Sequence, residues 1–188
     1  ISMVWGAVGE TRYVDIASAL AVGAETDITL VVGLALVLAG LGFKVAAVPF
    51  HMWAPDVYEG APTPITAYLA IGSKAAAFAL VLRLFGQGLM PASEDWRLIV
   101  AILAAATMTL GNLVAIVQCN VKRLLAYSSV GQVGYLLLGI AALAYVEDGV
   151  VIASSMAVNG VILHLVGYAV ANLAAFTVVG VVFSHTGT

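Results

Sequence analysis

The chain has 188 residues, 63% of them Ala, Val, Ile, Leu, Met, Phe, Trp, Tyr or Cys and only 9% charged, with a formal net charge of −3 and a mean hydropathy of +1.10. An ordinary soluble domain carries about 25% charged residues, so this composition excludes soluble enzymes, nucleic-acid binders and disordered tails. Seven basic against ten acidic residues leave no cationic face for nucleic acid, and the single Cys119 gives no disulfide framework, zinc site or iron–sulfur cluster.

The composition is that of an integral membrane protein, whose crossings each take about 20 mostly apolar residues. Residues 1–27 read as the tail of a preceding helix, to about Val8, and then a polar loop through Asp27. No cationic leader with a small-residue cleavage site stands there, so no signal peptide is read. The abrupt start and stop suggest a piece of a larger bundle, truncated at both ends.

Residues 28–183 divide into five spans. The first, about 28–59, is an apolar stretch broken by Lys44, Pro49 and Pro55; the second, 63–85, has Lys74 near its middle. Between Arg97 and Lys122 lie 24 residues without Asp, Glu, Lys or Arg, and between Arg123 and Glu147 lie 23. These windows place spans at 98–119 and 122–145. No charged residue follows Asp148, and the fifth span is set at 157–183, with residues 149–156 a helical extension or an interfacial turn. The fold class is an all-α, polytopic transmembrane helix bundle.

Alternating crossings put residues 57–62 and the turn at Lys122 and Arg123 on one side. Glu25, Asp27, Glu94, Asp95, Glu147 and Asp148, with Arg12, Arg83 and Arg97, fall on the other. Two Lys and Arg against three do not decide orientation; the basic turn at Lys122 is the one cytoplasmic marker.

Charge inside the slab is the informative feature. A mid-helix lysine costs roughly 2.5 to 3.5 kcal/mol on insertion scales. Arg83, Arg97, Lys122 and Arg123 stand near span ends, where long stems carry the charge to the interface. Lys74 has eleven residues between it and each end of its span, about 16 Å of helix either way, beyond the reach of its stem. It must face protein or water inside the bundle. Lys44 lies one residue before the carbonyl that loses its helical partner, because Pro49 has no N–H to offer Val45. A break at membrane depth is tolerated only in protein or beside a wet cavity, and transporters place ion sites there. The alternative is a simple proline kink with an incidental lysine. A desolvated lysine can exchange a proton near neutral pH.

Polar stripes mark the uncharged spans. His164, Tyr168 and Asn172 recur at i, i+4 and i+8, and Ser128, Gln132 and Tyr135 at i, i+4 and i+7, with Gly131 and Gly134 allowing close helix approach. Ser128 and Gln132 read as interhelical glue; His164 is either a proton relay or a satisfied packing histidine. His51 and His185 carry little functional weight. Asp56 and Glu59 sit in a Pro-rich turn and read as solvated loop and helix capping. No phosphate loop, metal-spaced cluster or nucleophile–base pair is present, so the residues by themselves point to ion or proton movement and leave the energy source open.

Three segments carry a resemblance: FKVAAVPFHMWAPDVYEGAPTP from Phe43 to Pro64, SKAAAF from Ser73 to Phe78, and NVKRLLAYSSVGQVGY from Asn120 to Tyr135. Together they resemble the signature of the antiporter-like, proton-pumping membrane subunits of respiratory complex I (NADH-quinone oxidoreductase). Asp56 to Gly60 and the Ser73–Lys74 pair are most similar to the branch called subunit N, 2 or B. The larger subunits and the sodium/proton antiporter subunits usually carry an aspartate-alanine-histidine sequence there, absent here.

The resemblance covers about residues 26–183 and implies a fourteen-helix fold of two inverted five-helix repeats, with residues 28–183 as helices seven to eleven. Helix seven would break between Lys44 and Pro49. Lys44 and Lys74 would be the central proton-carrying lysines, with His164 and Lys122 as secondary candidates for proton translocation. A glutamate on helix five and a lysine on helix twelve, which the family also uses, lie outside these residues. The loops at 57–62 and at Lys122 would face the cytoplasm.

The implied activity is that of a subunit of a proton-translocating NADH:quinone oxidoreductase. Quinone reduction elsewhere would change glutamate–lysine pairing, and the proton would pass from Lys44 through water and Lys74 towards the outlet. Flavin, iron–sulfur clusters and quinone would belong to partner subunits, leaving no cofactor, metal, catalytic residue or redox step in this chain. Its surroundings would be the lipid bilayer and the other membrane and peripheral subunits, in a bacterial inner membrane or an organellar energy-converting one. The rivals are a cation/proton antiporter or membrane-bound hydrogenase subunit of the same fold, and a purely structural subunit with packing lysines.

Overall fold

Backbone amides and carbonyls in an apolar slab have to bond to one another, and a helix achieves this within one segment. The computed structural model, which describes residues 2–21, 28–147 and 150–186, is helical along most of that length. Its helices are α1 (Ser2–Val8), α2 (Tyr13–Ala21), α3 (Ile28–Val45), α4 (Trp53–Gly60), α5 (Thr63–Tyr68), α6 (Lys74–Arg83), α7 (Ser93–Ile116), α8 (Val121–Ala141) and α9 (Ser155–Thr186). Five stretches are long and apolar enough to cross a bilayer: α3, the rod Thr63–Gly88 that holds α5 and α6, Met90–Ile116, α8, and Ser155–His185. The chain is an all-α polytopic membrane bundle.

Helix ends follow local chemistry. Proline stands in the first turn of α5, where its missing N–H is not needed. Glu94 and Asp95 occupy the first turn of α7, on the positive end of its dipole. Asn120 caps α8, its side-chain oxygen accepting from the amides of Lys122 at 2.9 Å and Arg123 at 3.3 Å.

The first span is interrupted, and the interruption is bonded rather than bare. α3 stops at Val45, and Ala46 takes a φ of 62°, a left-handed conformation that a residue with a Cβ adopts only under outside constraint. The Trp53 indole donates to the Phe43 carbonyl at 2.9 Å, the Ala47 amide to Gly42 at 2.8 Å, and the Val48 amide to Thr107 Oγ1 of α7 at 3.1 Å. The Phe43 carbonyl also accepts from the Ala46 amide at 3.2 Å, so the polar groups freed by the break are met within the chain, as an apolar slab requires.

Two segments differ from the sequence reading. The polar loop contains α2, whose Tyr-Val-Asp-Ile-Ala-Ser-Ala-Leu-Ala run buries Ile16 because apolar residues recur there at helical spacing. Residues 22–27, the end of that loop, lie outside the described residues. Residues 144–153, read partly as the end of a span and partly as helical extension or turn, form an antiparallel hairpin, Ala144–Glu147 against Val150–Ala153, with Ala144 opposite Ala153. Tyr145, Val146, Val150, Val151 and Ile152 favour a strand over a helix. Asp148 and Gly149 lie outside the described residues.

The main packing seam joins α7 and α8 through glycines. A Cβ placed on Gly111 would lie 2.5 Å from the Gly131 nitrogen, and one on Gly134 would lie 2.6 Å from the Met108 nitrogen. In lipid, where apolar surface gives no drive between helices, such close backbone approach supplies the association. A large buried cluster includes Phe85 and Trp96, their ring centroids 4.9 Å apart. A smaller one gathers Ala46, Ala54, Tyr58, Ala70, Ala126, Val130 and Phe176.

Gly111→Ala should therefore drive α7 and α8 apart and destabilise the bundle by about 1–3 kcal/mol. Gly160→Ala, whose methyl meets nothing within 4 Å, should be neutral or gain up to ~1 kcal/mol of helix propensity. Thermal unfolding in detergent, comparing the two variants, checks the pair.

Candidate functional site

The rod Thr63–Gly88 is not regular throughout. A π turn at Leu69–Ser73 runs directly into Lys74, and a second, at Leu84–Gly88, follows α6. A π turn leaves a carbonyl without its usual partner and recurs at functional sites. Here the Ala70 carbonyl, inside the first π turn, accepts from the Tyr168 hydroxyl of α9 at 3.1 Å.

Lys74 itself is 3% exposed. Its ammonium donates to the Ser129 carbonyl of α8 at 3.0 Å and to the Ser129 hydroxyl. That hydroxyl shares a hydrogen bond of 2.6 Å with Tyr168, and the Tyr168 ring lies 5.8 Å from the ammonium. The Tyr58 hydroxyl of α4 approaches Ser129 without reaching hydrogen-bond geometry. No carboxylate pairs with Lys74: among the described residues the ion pairs are those of Arg12 with Asp15 and of Arg123 with Asp56 and Glu59. Among the described residues the amine is held by neutral oxygens alone.

The two polar stripes face one another across a cavity of about 420 Å³ between α8 and α9, lined by Ser128, Gln132, His164, Tyr168 and Asn172 among others. His164 is half-buried, with its Nε2 enclosed and without a partner among the described residues. Its ring lies 6.1 Å from that of Tyr135. Tyr168 belongs both to this groove and to the hydrogen-bonded group around Lys74.

Lys44 stands elsewhere. It occupies the last turn of α3, and its side chain is exposed on the surface of this chain, so the expectation of a desolvated amine at this position is corrected for the chain by itself. The reason is local: Lys44 and Phe43 fall on the exposed part of the last turn of α3, whereas Gly42 and Val45 are buried. Pro49 lies within the break, exposed. The structure thus does not join Lys44 to the Lys74 group.

Lys122 does not join that group either. Its ammonium donates to the Ala61 carbonyl at 2.9 Å, and seven residues of helix, about 10 Å, separate it from Ser129. It belongs to a clamp that the sequence reading missed. Arg123 donates to Asp56 at 2.8 Å and to Glu59 at 2.9 Å, while Asn120 donates to the other oxygen of Glu59 at 3.0 Å. The start of α8 thereby grips α4. In the sequence Asp56 and Glu59 read as solvated loop and helix capping and Arg123 as an interfacial anchor; opposite charges on two loops assigned to one membrane face are the signal for the clamp. Ser129 was missed because its neighbour Ser128 completes the i, i+4 stripe, and one step along a helix turns a side chain by about 100°.

Residues 1–188 match the family described as NADH:quinone oxidoreductase/Mrp antiporter, TM. Subunit N of the NADH-quinone oxidoreductase of Desulforamulus reducens is 48% identical over all of this chain and 37% of its own length. NAD(P)H-quinone oxidoreductase subunit 2 of Trichodesmium erythraeum is 46% identical over all of this chain and 34% of its own length. The chain thus spans little more than a third of the curated relatives it matches. Among solved structures, a chain of respiratory complex I from Thermus thermophilus, with bound aureothin, matches at 34% identity and a TM-score of 0.71, over 95% of this chain and 35% of that one. A chain of the Mrp complex from a Dietzia species shares the fold at a TM-score of 0.79 and 24% identity, over 95% of this chain and 31% of that one.

The clamp generates a prediction of its own. Arg123→Gln removes the charge that both carboxylates share, so amide hydrogen exchange across residues 53–60 should rise while that of the α7–α8 seam stays unchanged. Because the groups are exposed, salt at about 1 M should produce part of the same effect in the unmodified chain.

Proposed function

The chain belongs to the NADH:quinone oxidoreductase/Mrp antiporter family, and on that footing we propose that it is the proton-translocating part of a subunit N of an NADH-quinone oxidoreductase. Protons move through a central series of buried lysines, driven by quinone reduction in other subunits. The observation that carries the reading is Lys74: an amine 3% exposed, far from both ends of an apolar rod, beside a π turn and held by neutral oxygens alone. A group placed there at such energetic expense serves transport more readily than packing. The relatives named subunit N, at 48% identity, support the same assignment.

In this reading Lys44 is the second carrier. Its exposed face, at the end of α3, is covered in the whole protein by family helices outside these residues, which bring the glutamate that pairs with it. His164, in the groove, takes a secondary part; Lys122 serves the clamp. Flavin, iron–sulfur clusters and quinone reside in partner subunits, and the assembly sits in the lipid of a bacterial inner membrane. A cation/proton antiporter is favoured by the fold shared with the Mrp chain, but fold alone does not assign chemistry. Its signature would be sodium-dependent transport without NADH.

Lys74→Ala, in the complete complex reconstituted in phospholipid vesicles, should abolish proton translocation through this subunit while leaving assembly intact. Simultaneous measurement of quinone reduction and vesicle acidification checks it. Full proton stoichiometry in that variant would return Lys74 to a packing role.

A further inference from the structure

We infer that the hydroxyls of Ser129 and Tyr168 are the door through which Lys74 exchanges its proton with the polar groove between α8 and α9. The inference rests on the proposed role of Lys74 as a carrier and adds the route and two residues to it. Among the described residues, the ammonium has hydrogen bonds to two groups only, the carbonyl and the hydroxyl of Ser129. A carbonyl can accept but holds no proton to pass on, whereas a hydroxyl does both. The next group along is Tyr168, whose hydroxyl is 2.6 Å from Ser129 Oγ.

Beyond Tyr168 the surroundings change. Near Lys74 and Ser129 in the chain, Ala70, Ala126 and Val130 belong to a buried apolar cluster. On the other side Tyr168 lines the cavity of about 420 Å³ together with Ser128, Gln132 and His164, where the enclosed His164 Nε2 has no partner among the described residues. Tyr58, the other hydroxyl near Ser129, is 1% exposed and has no hydrogen-bond partner among the described residues. Ser129 is likewise 1% exposed and Tyr168 6%, so the two oxygens separate a dry amine from a polar groove. The π turn takes part in this: its Ala70 carbonyl accepts from Tyr168 at 3.1 Å and holds the phenol at rest when no proton is moving.

Transfer through the pair leaves both hydroxyls as it found them. One N–H bond of the Lys74 ammonium breaks and a new O–H forms on Ser129 Oγ. The proton that Ser129 held passes to Tyr168 Oη, and the phenolic proton passes to an acceptor in the groove, the His164 imidazole or a water molecule. Lys74 becomes a neutral amine, the groove gains one proton, and reversal of the same steps reloads Lys74.

The test uses the complete complex in phospholipid vesicles. Ser129→Ala and Tyr168→Phe should each slow vesicle acidification by about 100-fold, the low end for a positioned proton-transfer group, with assembly intact. Ser129→Thr, which keeps the hydroxyl, should restore it. If Ser129 only filled space, the added methyl of Thr at a site this enclosed would be at least as damaging as Ala. The door is overturned if the Ala and Phe variants acidify at the unmodified rate, or if Thr is as slow as Ala. Tyr168→Phe keeps the ring beside Lys74 and serves should Ser129→Ala fail to assemble. If Lys74→Ala also pumps normally, the carrier role itself falls; if Lys74→Ala is silent and the hydroxyl variants are not, only the route falls.

Discussion

An ammonium group in the interior of a membrane bundle has to be met by oxygen, and most of the local architecture around Lys74 follows from that demand. Ser129 supplies two oxygens from α8, and Tyr168 from α9 holds the Ser129 hydroxyl in place. The π turn before Lys74 gives Tyr168 its own acceptor at Ala70. Three membrane helices therefore converge on one side chain. Among the described residues they do so without a carboxylate, so the charge is steadied by dipoles that a small rearrangement can redirect, which a tight ion pair would resist.

The same rule of satisfied polar groups explains how α3 can stop inside an apolar span. Trp53 reaches back to the Phe43 carbonyl and Thr107 reaches across from α7 to the Val48 amide, so the break is bonded within the chain. α4, the segment beyond it, is fixed from outside by Arg123 and Asn120 acting on Asp56 and Glu59. Lys44 is left at the end of a helix whose break is held on one side and open on the other.

Fold and site carry different information here. Chains of a respiratory complex and of an Mrp complex share the architecture at TM-scores of 0.71 and 0.79, so the bundle by itself names no chemistry. What narrows the reading is the placement of polar groups within it: one buried amine, two hydroxyls and a polar groove reached through them.

Much of this was legible in the residues. The charge-free windows around residues 98–121 and 124–146 require crossings whatever the packing, since length and apolarity alone satisfy the bilayer. The depth of Lys74 follows from helix rise and stem length. Pro49 marks a break because it lacks an N–H. What tertiary structure decided was which groups meet: that Ser129 and not Ser128 faces Lys74, that Lys44 lies on an open surface, and that Arg123 pairs with α4. Those outcomes depend on the rotation of one helix against another and on contacts between segments far apart in the chain. Periodicity records the face of a single helix, but the partner opposite that face is set only when the helices pack.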